Sequence, residues 1–155
     1  MSKPKKINKI EKSVSIKNRK ASFEYEFLDV LQAGIVLRGT EIKSIRQSKV
    51  NMQEAYCLFI DGELWLRGMS IAEYDKGNIH NHDPKSDRKL LLKKRELERL
   101  EKKLKNVGLT IVPTKVYINA RGFAKVNVAL AKGKKLHDKR QSIKEKESKR
   151  SLREL

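Results

Sequence analysis

The residues that come nearest to a catalytic or metal-binding pattern in this sequence are His80, Asn81, His82 and Asp83. Histidines two apart on an extended segment project to the same side, where they could share a metal ion or serve a nuclease. A zinc site, however, needs three or four protein ligands. The third histidine, His137, lies far along the chain, and the one cysteine, Cys57, falls in a predicted strand. We therefore interpret residues 80–83 as a hydrogen-bonding loop that braces the following helix, and we expect no metal or other cofactor.

Other catalytic patterns are missing from the sequence. It contains no phosphate-binding Walker loop, no G-x-S-x-G motif and no paired-carboxylate motif. Cys57 is better explained as a small buried strand residue than as a nucleophile. The residue types therefore favour a protein that is not an enzyme.

The strongest signal is an excess of positive charge: 37 Lys and Arg against 19 Asp and Glu give a net charge of +18 in 155 residues. Such an excess is typical of proteins that bind a polyanion, because neutralising phosphates releases condensed counterions. A membrane surface is the weaker candidate, since no stretch pairs a broad apolar face with a basic one. No apolar run approaches the roughly 18–20 residues of a membrane span either. The sequence therefore predicts nucleic-acid binding, and its single cysteine and the lack of an apolar leader fit the cytoplasm.

Positive charge is concentrated at both ends of the chain. Residues 1–20 carry eight Lys or Arg and one Glu, and residues 133–155 carry nine Lys or Arg and four acidic residues. Both ends contain few apolar residues and no aromatic ones, too few to offset the entropy of ordering. We therefore predict a disordered basic extension over residues 1–17, a globular domain over residues 18–132 and a basic tail over residues 133–155.

Hydrophobic patterning in the middle of the chain predicts about six strands. Two are expected between Tyr25 and Leu37, with a bulge or bend at Gly34 between them. Residues 55–69 form a predicted hairpin around Asp61 and Gly62, because this pair suits the positive φ angles of a type I′ turn. The strand region from 109 to 118 is expected to have an edge or bulge at Pro113.

A last strand follows a turn over residues 119–122 and runs out to Lys132. The hairpins, without any βαβ rhythm, favour a mainly β fold with helices. The expected architecture is a small closed antiparallel barrel of about six strands, of the oligonucleotide-binding type, with two main embedded helices.

The shorter expected helix covers residues 40–49, and the longer one covers residues 88–107, with Ser86 or Asp87 as its N-cap. A buried stripe is predicted along the longer helix, formed by Leu97, Leu100, Leu104 and Val107. Its first turn and a half, RKLLLKKR, carries charge of one sign and could contact phosphate.

Three aromatic residues of the predicted hairpin have the chemistry to stack on nucleic-acid bases: Tyr56, Phe59 and Trp65. Aromatic side chains in a small barrel are more often part of the core. We therefore assign all three to the core.

Several runs of residues resemble the SsrA-binding protein (small protein B) family of bacteria. They are Asn18–Ala21, Ala33–Leu37, Gly39–Ser44, His82–Pro84, Arg88–Leu97 and Gly133–Arg140. The likeness extends in unbroken order over about residues 17–146. The RKLLL and GKK-x-HDKR blocks are its most specific parts.

The resemblance implies an RNA-binding protein without catalytic activity. Members of this family fold as an oligonucleotide-binding-type barrel and bind the tRNA-like domain of transfer-messenger RNA (tmRNA). With elongation factor Tu and GTP, they bring it to ribosomes stalled on broken messages. In the trans-translation that follows, the nascent chain is tagged for proteolysis and the ribosome is released. The body of such a protein stands where the lower half of a tRNA would be, and its tail enters the decoding centre and the empty mRNA path.

The resemblance also implies two sets of RNA-facing residues. The set on the body comprises Asn18, Arg19, Lys20, Gln32, Arg88, Lys89, Leu91 and Lys93. The set in the tail, expected in the decoding centre, comprises Gly133, Lys134, Lys135, His137, Asp138, Lys139 and Arg140. Many family members have Glu at the position of Gln32, and several have Asn at that of Lys93. We therefore expect the same surface with altered individual contacts.

The composition of the tail predicts a segment that is disordered alone and helical on the ribosome. Residues 139–153 are good helix formers, with Glu145 four residues before Lys149, but a lone helix of this length is marginal in water. From the residues themselves two other functions remain open. One is a general ribosomal or RNA-chaperone protein, and the other is a metal-dependent nuclease that uses His80 and His82.

Overall fold

The computed structural model describes residues 14–76 and 81–134. Within these ranges the chain forms nine strands and three helices, and every strand pairing is antiparallel. The strands are β1 (Ser15–Lys17), β2 (Tyr25–Ile35), β3 (Val50–Asn51), β4 (Tyr56–Ile60), β5 (Glu63–Arg67), β6 (Ser70–Ile71), β7 (Arg88–Leu91), β8 (Leu109–Ile118) and β9 (Ala124–Gly133). The helices are α1 (Arg19–Glu24), α2 (Gly39–Arg46) and α3 (Lys94–Lys103).

Six of these strands close into a ring. The order of pairing is β8, β4, β5, β7, β2 and β9, and β9 then pairs with β8 again. β1 lies beside β8 on the same edge as β4, and β3 and β6 form a separate two-stranded sheet. The predicted mainly β fold, with a closed antiparallel sheet of about six strands, is thereby confirmed, although three helices accompany it rather than two.

Alternation along the strands separates an apolar interior from a polar outer surface. On β2 the side chains of Leu31 and Ala33 are buried in the main core, while Gln32 between them is exposed. On β9 the same alternation buries Val126 and Val128. This period of two follows from the pleat, which sends successive side chains to opposite faces. It also decides which polar side chains reach solvent.

Both predicted hairpin turns are present. Asp61 and Gly62 have φ angles of 51° and 79°, as a type I′ turn requires, and β4 and β5 pair on either side. The second turn, between β8 and β9, is held by the Asn119 side chain, which accepts hydrogen bonds from the backbone N–H groups of Arg121 and Phe123. The register between β8 and β9 shifts next to Pro113, which confirms the predicted bulge there.

The prediction of a bulge or bend at Gly34 is wrong. β2 runs without a break from Tyr25 to Ile35, and its register shift lies between Phe27 and Asp29. Gly34 instead pairs on both sides, with Leu91 of β7 and with Lys125 of β9. The glycine marks the place where the strand is flanked by two partners, not a place where it bends.

The prediction that the long helix begins at residue 88 is also wrong. Residues 88–91 form β7, which joins β5 to β2 and so completes the ring, and α3 begins only at Lys94. Arg88 and Leu90 are buried while Leu91 is exposed, the alternation of a strand. The predicted apolar stripe is confirmed at Leu100, which is fully buried, and at Leu97 and Leu104, which pack against the main core, but Val107 lies beyond the helix and is fully exposed.

The ordered domain begins earlier than residue 18. Residues 15–17, which the sequence places in the N-terminal extension, pair with β8 as β1. They are followed by α1, a helix that the sequence did not predict. Ala21 of α1 packs against Val112 and Ala131 on the outer surface of β8 and β9, forming a small second core.

The predicted burial of the hairpin aromatics is correct only in part. Phe59 packs against the main core, but Trp65 alternates with the buried Leu64 and Leu66 and lies half-buried on the outer surface, and Tyr56 is exposed. Tyr56 points outward because it alternates with the buried Cys57 on β4.

Candidate nucleic-acid interface

The outer surface of β1, β8, β9 and β2, together with Leu91 at the end of β7, presents two rows of mostly polar and basic side chains, which we call the basic face. The first row runs from Gln32 through Asn127 and Lys115 to Lys17, each residue lying opposite the next. The second row runs from Leu91 through Gly34 and Lys125 to Tyr117. Residues from five strands are therefore brought together by register alone.

The lysines of the basic face lack acidic partners. Within the described ranges, none of Lys17, Lys115 and Lys125 forms an ion pair. Lys115 and Lys17 lie directly opposite each other on adjacent strands, an arrangement of like charges that is destabilising in a sheet. A bound anion such as phosphate would relieve this repulsion.

Tyr117 organises the centre of the basic face. Its hydroxyl accepts a hydrogen bond from the Gln32 side-chain amide. The Lys115 ammonium lies 4.9 Å from the centre of the Tyr117 ring, in cation–π range. Tyr117 thus holds one amide and one cation in fixed positions at the surface.

The missing side chain of Gly34 leaves a gap, which we call the notch, between Leu91 and the polar part of this face. Leu91 is 51% exposed, which is unusual for a large apolar side chain in a strand of a closed sheet. Its neighbour Gly34 has no side chain, and a Cβ there would lie 3.4 Å from the Leu91 Cβ. The notch therefore leaves one flank of the Leu91 side chain open beside Lys125.

Asn18 lies beneath the surface rather than on it. The residue is 4% exposed, and its amide nitrogen donates to the carbonyl oxygens of Pro113 at 2.9 Å and Met52 at 3.2 Å. Its side-chain oxygen accepts from the Ala21 N–H at 3.1 Å, which caps α1. With these bonds made, Asn18 fixes α1 against β8 and the loop after β3.

The short helix α1 borders the basic face and carries two of the predicted RNA-facing cations. Arg19 is exposed and Lys20 is half-buried, with its ammonium 2.6 Å from the Glu54 carboxylate. The hydrogen bond from Lys20 holds the pKa of Glu54 below its usual range and raises that of Lys20 itself.

The first two residues of the predicted tail set lie against the same helix. Gly133 ends β9 opposite Tyr25, and the Lys134 backbone N–H donates to the Glu24 carbonyl at 2.9 Å. The chain therefore leaves the ring beside α1. The remaining predicted tail residues, Lys135, His137, Asp138, Lys139 and Arg140, lie outside the described residues, as do the predictions of tail and N-terminal disorder and of a helix over 139–153.

Arg88 occupies the interior. Its side chain is 2% exposed and its Nε lies 2.6 Å from a carboxylate oxygen of Glu41 in α2. Its remaining N–H groups donate to the carbonyl oxygens of Met69, Ser86 and Pro84 at 2.8–3.0 Å. Arg88 thus ties α2 to the loop before β7, and its side chain has no donor directed at solvent.

The opposite part of the ring, on the outer surface of β4, β5 and β7, presents what we call the paired face. Its cations are neutralised: Lys89 lies 3.3 Å from Glu63, and Arg67 lies 3.0 Å from Asp87. The hydrogen bonds from Arg67 to Asp87 also raise the pKa of the guanidinium. Lys89, predicted to face RNA, belongs to this face.

Lys93 stands at the junction of β7 and α3. Its backbone N–H donates to the Glu96 side chain at 2.9 Å, closing the first turn of the helix. The Lys93 side chain is exposed and makes no ion pair within the described ranges. Of the predicted body set, Arg19, Gln32, Leu91 and Lys93 therefore present free surface.

The histidine loop has a structural role. His82 is buried, with its Nδ1 2.8 Å from the Thr40 hydroxyl and its Nε2 2.9 Å from the Ile71 carbonyl. It braces the preceding helix α2, whereas the sequence predicted a brace for the following helix; His80 is outside the described residues. Among the described residues no group of three His, Cys, Asp or Glu side chains could hold a metal ion. Burial raises the pKa of the Cys57 thiol, which keeps it in the unreactive protonated form.

Five side chains of the basic face were not singled out in the sequence: Lys17, Lys115, Tyr117, Lys125 and Asn127. Each lies on the outward phase of a strand, so alternation alone would have placed them on the surface. Their proximity depends on the pairing of β1, β8, β9 and β2, which residue patterns do not reveal. No helix within residues 14–76 and 81–134 has the length and apolar character needed to cross a membrane.

A closed antiparallel sheet with a face of unpaired lysines defines the chain as a small nucleic-acid-binding domain. Comparison with known proteins assigns it further. The SmpB protein family model matches residues 15–155, and the chain belongs to this family.

Individual relatives agree with this assignment. The SsrA-binding protein of Cytophaga hutchinsonii is 58% identical over 146 residues, which cover 94% of this chain and 95% of that protein. The SsrA-binding protein of Phocaeicola vulgatus is 55% identical over 139 residues, covering 90% and 93%. A solved structure described as "tmRNA-SmpB: a journey to the center of the bacterial ribosome" shares 46% identity with a TM-score of 0.70, covering 84% of this chain and 95% of that one.

Proposed function

We propose that this chain binds the tRNA-like domain of tmRNA through its basic face and delivers it to stalled ribosomes for trans-translation. Membership of the SmpB family makes it an RNA-binding factor and not an enzyme. The similar solved structure concerns tmRNA and SmpB in the bacterial ribosome, which supports both the RNA and the ribosome as partners.

We assign the RNA to the basic face because its lysines are unpaired within the described ranges, whereas the cations of the paired face are held in ion pairs. Among the described residues Lys17, Lys115 and Lys125 form no ion pair, whereas Lys89 and Arg67 do. An unpaired lysine that neutralises an RNA phosphate releases counterions condensed on the RNA, whereas a paired cation must first break its existing ion pair. The basic face is therefore the surface that gains most from RNA.

The notch beside Leu91 supplies apolar contact within this charged surface. Leu91 is exposed and is separated from Lys125 by Gly34, and an apolar side chain there fits the face of a ribose or an unstacked base better than it fits phosphate. Tyr117 holds Gln32 ready to form a hydrogen bond at the edge of the same site. In this proposal the lysines supply affinity, and Gln32 and Leu91 supply local selectivity.

Filter binding at several salt concentrations tests the proposal. The probes are tmRNA, an elongator tRNA and an unrelated RNA of equal length. Tighter binding to tmRNA at every salt concentration is expected. Equal affinity for all three RNAs would instead indicate a general RNA-chaperone or ribosomal protein.

We propose that the tail acts after RNA capture, in the decoding centre and the empty mRNA path. A chain truncated after Lys134 keeps β9 intact, because Gly133 still pairs with Tyr25 and Lys134 with Glu24. Its affinity for tmRNA should be close to that of the full chain, while tagging of stalled nascent chains should disappear. Equal loss of both activities would contradict this division of roles.

Elongation factor Tu with GTP joins the complex, in this proposal, through the tmRNA and not through the chain itself. Immobilised chain should therefore retain the factor only when tmRNA is added. Since the proposed site of action is the ribosome, we place the protein in the cytoplasm.

A further inference from the structure

A cleft of about 350 Å³ lies between α1 and the loop that follows β3. Six polar or cationic side chains line it: Lys17, Asn18, Arg19, Lys20, Asn51 and Gln53. Lys17 also ends the first row of the basic face, so the cleft continues that surface around the edge of β1. Cations and amides around a space of this size suit a phosphate together with its attached nucleotide.

One carboxylate, that of Glu54, contacts a cation that lines the cleft. Glu54 places its Oε2 2.6 Å from the Lys20 Nζ, although the Glu54 side chain is 80% exposed. Burial therefore does not drive the contact. Of the three cations that line the cleft, Lys20 alone has an acidic partner among the described residues.

The backbone that carries Glu54 is fixed from two sides. The Asn18 amide donates to the carbonyl of Met52, and the N–H of Ala55 donates to the same carbonyl at 3.0 Å. On the other side, Gly68 has a φ of +85°, and a Cβ at this position would lie 2.6 Å from the Glu54 carbonyl oxygen. The loop is thus held by Asn18, the buried N-cap of α1, and packs against Gly68. The fold therefore fixes the backbone position of Glu54.

We propose that this cleft binds one backbone phosphate and the adjoining nucleotide of the RNA, and that Glu54 occupies Lys20 until this phosphate displaces it. The inference rests on the proposed RNA-binding function. An exposed ion pair is weak, so a phosphate that enters in the correct position replaces the carboxylate readily. The displaced carboxylate then repels every RNA. Only an RNA whose other phosphates reach further cations of the basic face regains the binding free energy lost to this repulsion. Glu54 therefore acts as a specificity-determining residue, which lowers affinity for all RNA but most for RNA that does not fit.

The test compares Glu54→Gln with the wild type in filter binding, using tmRNA and an unrelated RNA of equal length. We expect the affinity for tmRNA to rise about threefold and that for unrelated RNA about tenfold, so that discrimination falls about threefold. The slope of log affinity against log salt should steepen by up to about one, because one more cation is available to phosphate.

Two further variants separate this exchange from a general charge effect. Glu98→Gln removes the same charge from an exposed position on α3, and it should leave discrimination unchanged. In a Lys20→Met background the gain from Glu54→Gln should vanish. Equal gains from Glu54→Gln and Glu98→Gln, or a gain that persists without Lys20, would overturn the inference.

The proposed function and this inference fail in different ways. If wild-type protein binds tmRNA and elongator tRNA equally, the proposed function is wrong. If wild-type protein prefers tmRNA and Glu54→Gln leaves that preference unchanged, the function stands and the role of Glu54 is wrong.

Discussion

The basic face and the paired face are built on the same ring of strands, and they differ in how their charges are arranged. On the basic face Lys115 lies opposite Lys17, and neither meets a carboxylate among the described residues. On the paired face Lys89 meets Glu63 and Arg67 meets Asp87. Counting all cations would predict RNA binding on both faces, whereas counting only the unpaired cations predicts it on the basic face.

The apolar side chains follow the same division. Tyr56 and Ile60 are exposed on the paired face, where Arg67 and Lys89 are both held in ion pairs. Leu91 is exposed on the basic face next to Lys125 across the notch at Gly34. Apolar contact and unpaired positive charge therefore lie side by side on the basic face, which is what recognition of ribose and base beside phosphate requires.

The largest effect is expected from removing the buried cation Arg88. Arg88→Met leaves the Glu41 carboxylate buried without its partner and should lower the free energy of unfolding by about 3–5 kcal/mol. The adjacent Lys89→Met, at an exposed pair, should change stability little. Urea denaturation of both variants measures the difference. A stable Arg88→Met variant that fails to bind RNA would return Arg88 to the RNA-binding set.

The comparison between the faces is tested most simply by removing two charges from each. The double variant Lys115→Gln with Lys125→Gln should weaken tmRNA binding about 100-fold, at about tenfold for each lost phosphate contact. Arg67→Gln with Lys89→Gln removes the same charge from the paired face and should change affinity little. Filter binding at constant salt gives both values. Equal losses would mean that net charge, and not pairing, governs binding.

Asn18 is expected to act through stability. Asn18→Asp keeps the acceptor that caps α1 but loses both donations to the carbonyls of Met52 and Pro113. The unsatisfied carbonyls and the buried carboxylate should cost about 2 kcal/mol of folding free energy. Thermal unfolding checks this, and RNA affinity measured well below the melting temperature should fall less than for the lysine pair. Full stability with lost RNA binding would make Asn18 a direct contact.

The smallest effect is expected at Tyr117. Tyr117→Leu removes both the hydrogen bond to Gln32 and the cation–π contact with Lys115, and should weaken tmRNA binding about fivefold. Tyr117→Phe keeps the ring and should cost about twofold. Tyr56→Leu, the matched change on the paired face, should leave affinity unchanged. A larger loss for Tyr56→Leu than for Tyr117→Leu would reverse the assignment of the two faces.

Local signals predicted the fold where neighbouring residues determine it. Asp61 and Gly62 require a type I′ turn wherever they lie between two strands, and Pro113 cannot donate to a ladder, so the first hairpin and the bulge in β8 were both predicted correctly. Residues 88–91 have helix-compatible residue types, yet β5 and β2 each need a partner there, and closing the ring decides the conformation. That requirement is non-local and leaves no mark in the sequence of β7.

The site was predicted less fully than the fold. Gln32, Leu91 and Lys93 lie on the surface, as the family resemblance implies. Asn18 and Arg88 were predicted to face RNA from the family resemblance, and Arg88 also from its place in a run of like charge, whereas the partners that bury them lie far along the chain. Glu41 is 47 residues from Arg88, and Pro113 is 95 residues from Asn18. Sequence shows the chemistry of such residues, and only the fold shows which way they point.

The central claim is that RNA lies on the unpaired lysines, and lysine footprinting tests it most directly. The chain is acetylated briefly with and without tmRNA, and the modification of each lysine is measured by mass spectrometry. Lys17, Lys115 and Lys125 should be protected by tmRNA, while Lys89 keeps its reactivity. Protection of Lys89, with Lys115 and Lys125 still fully reactive, would contradict the account.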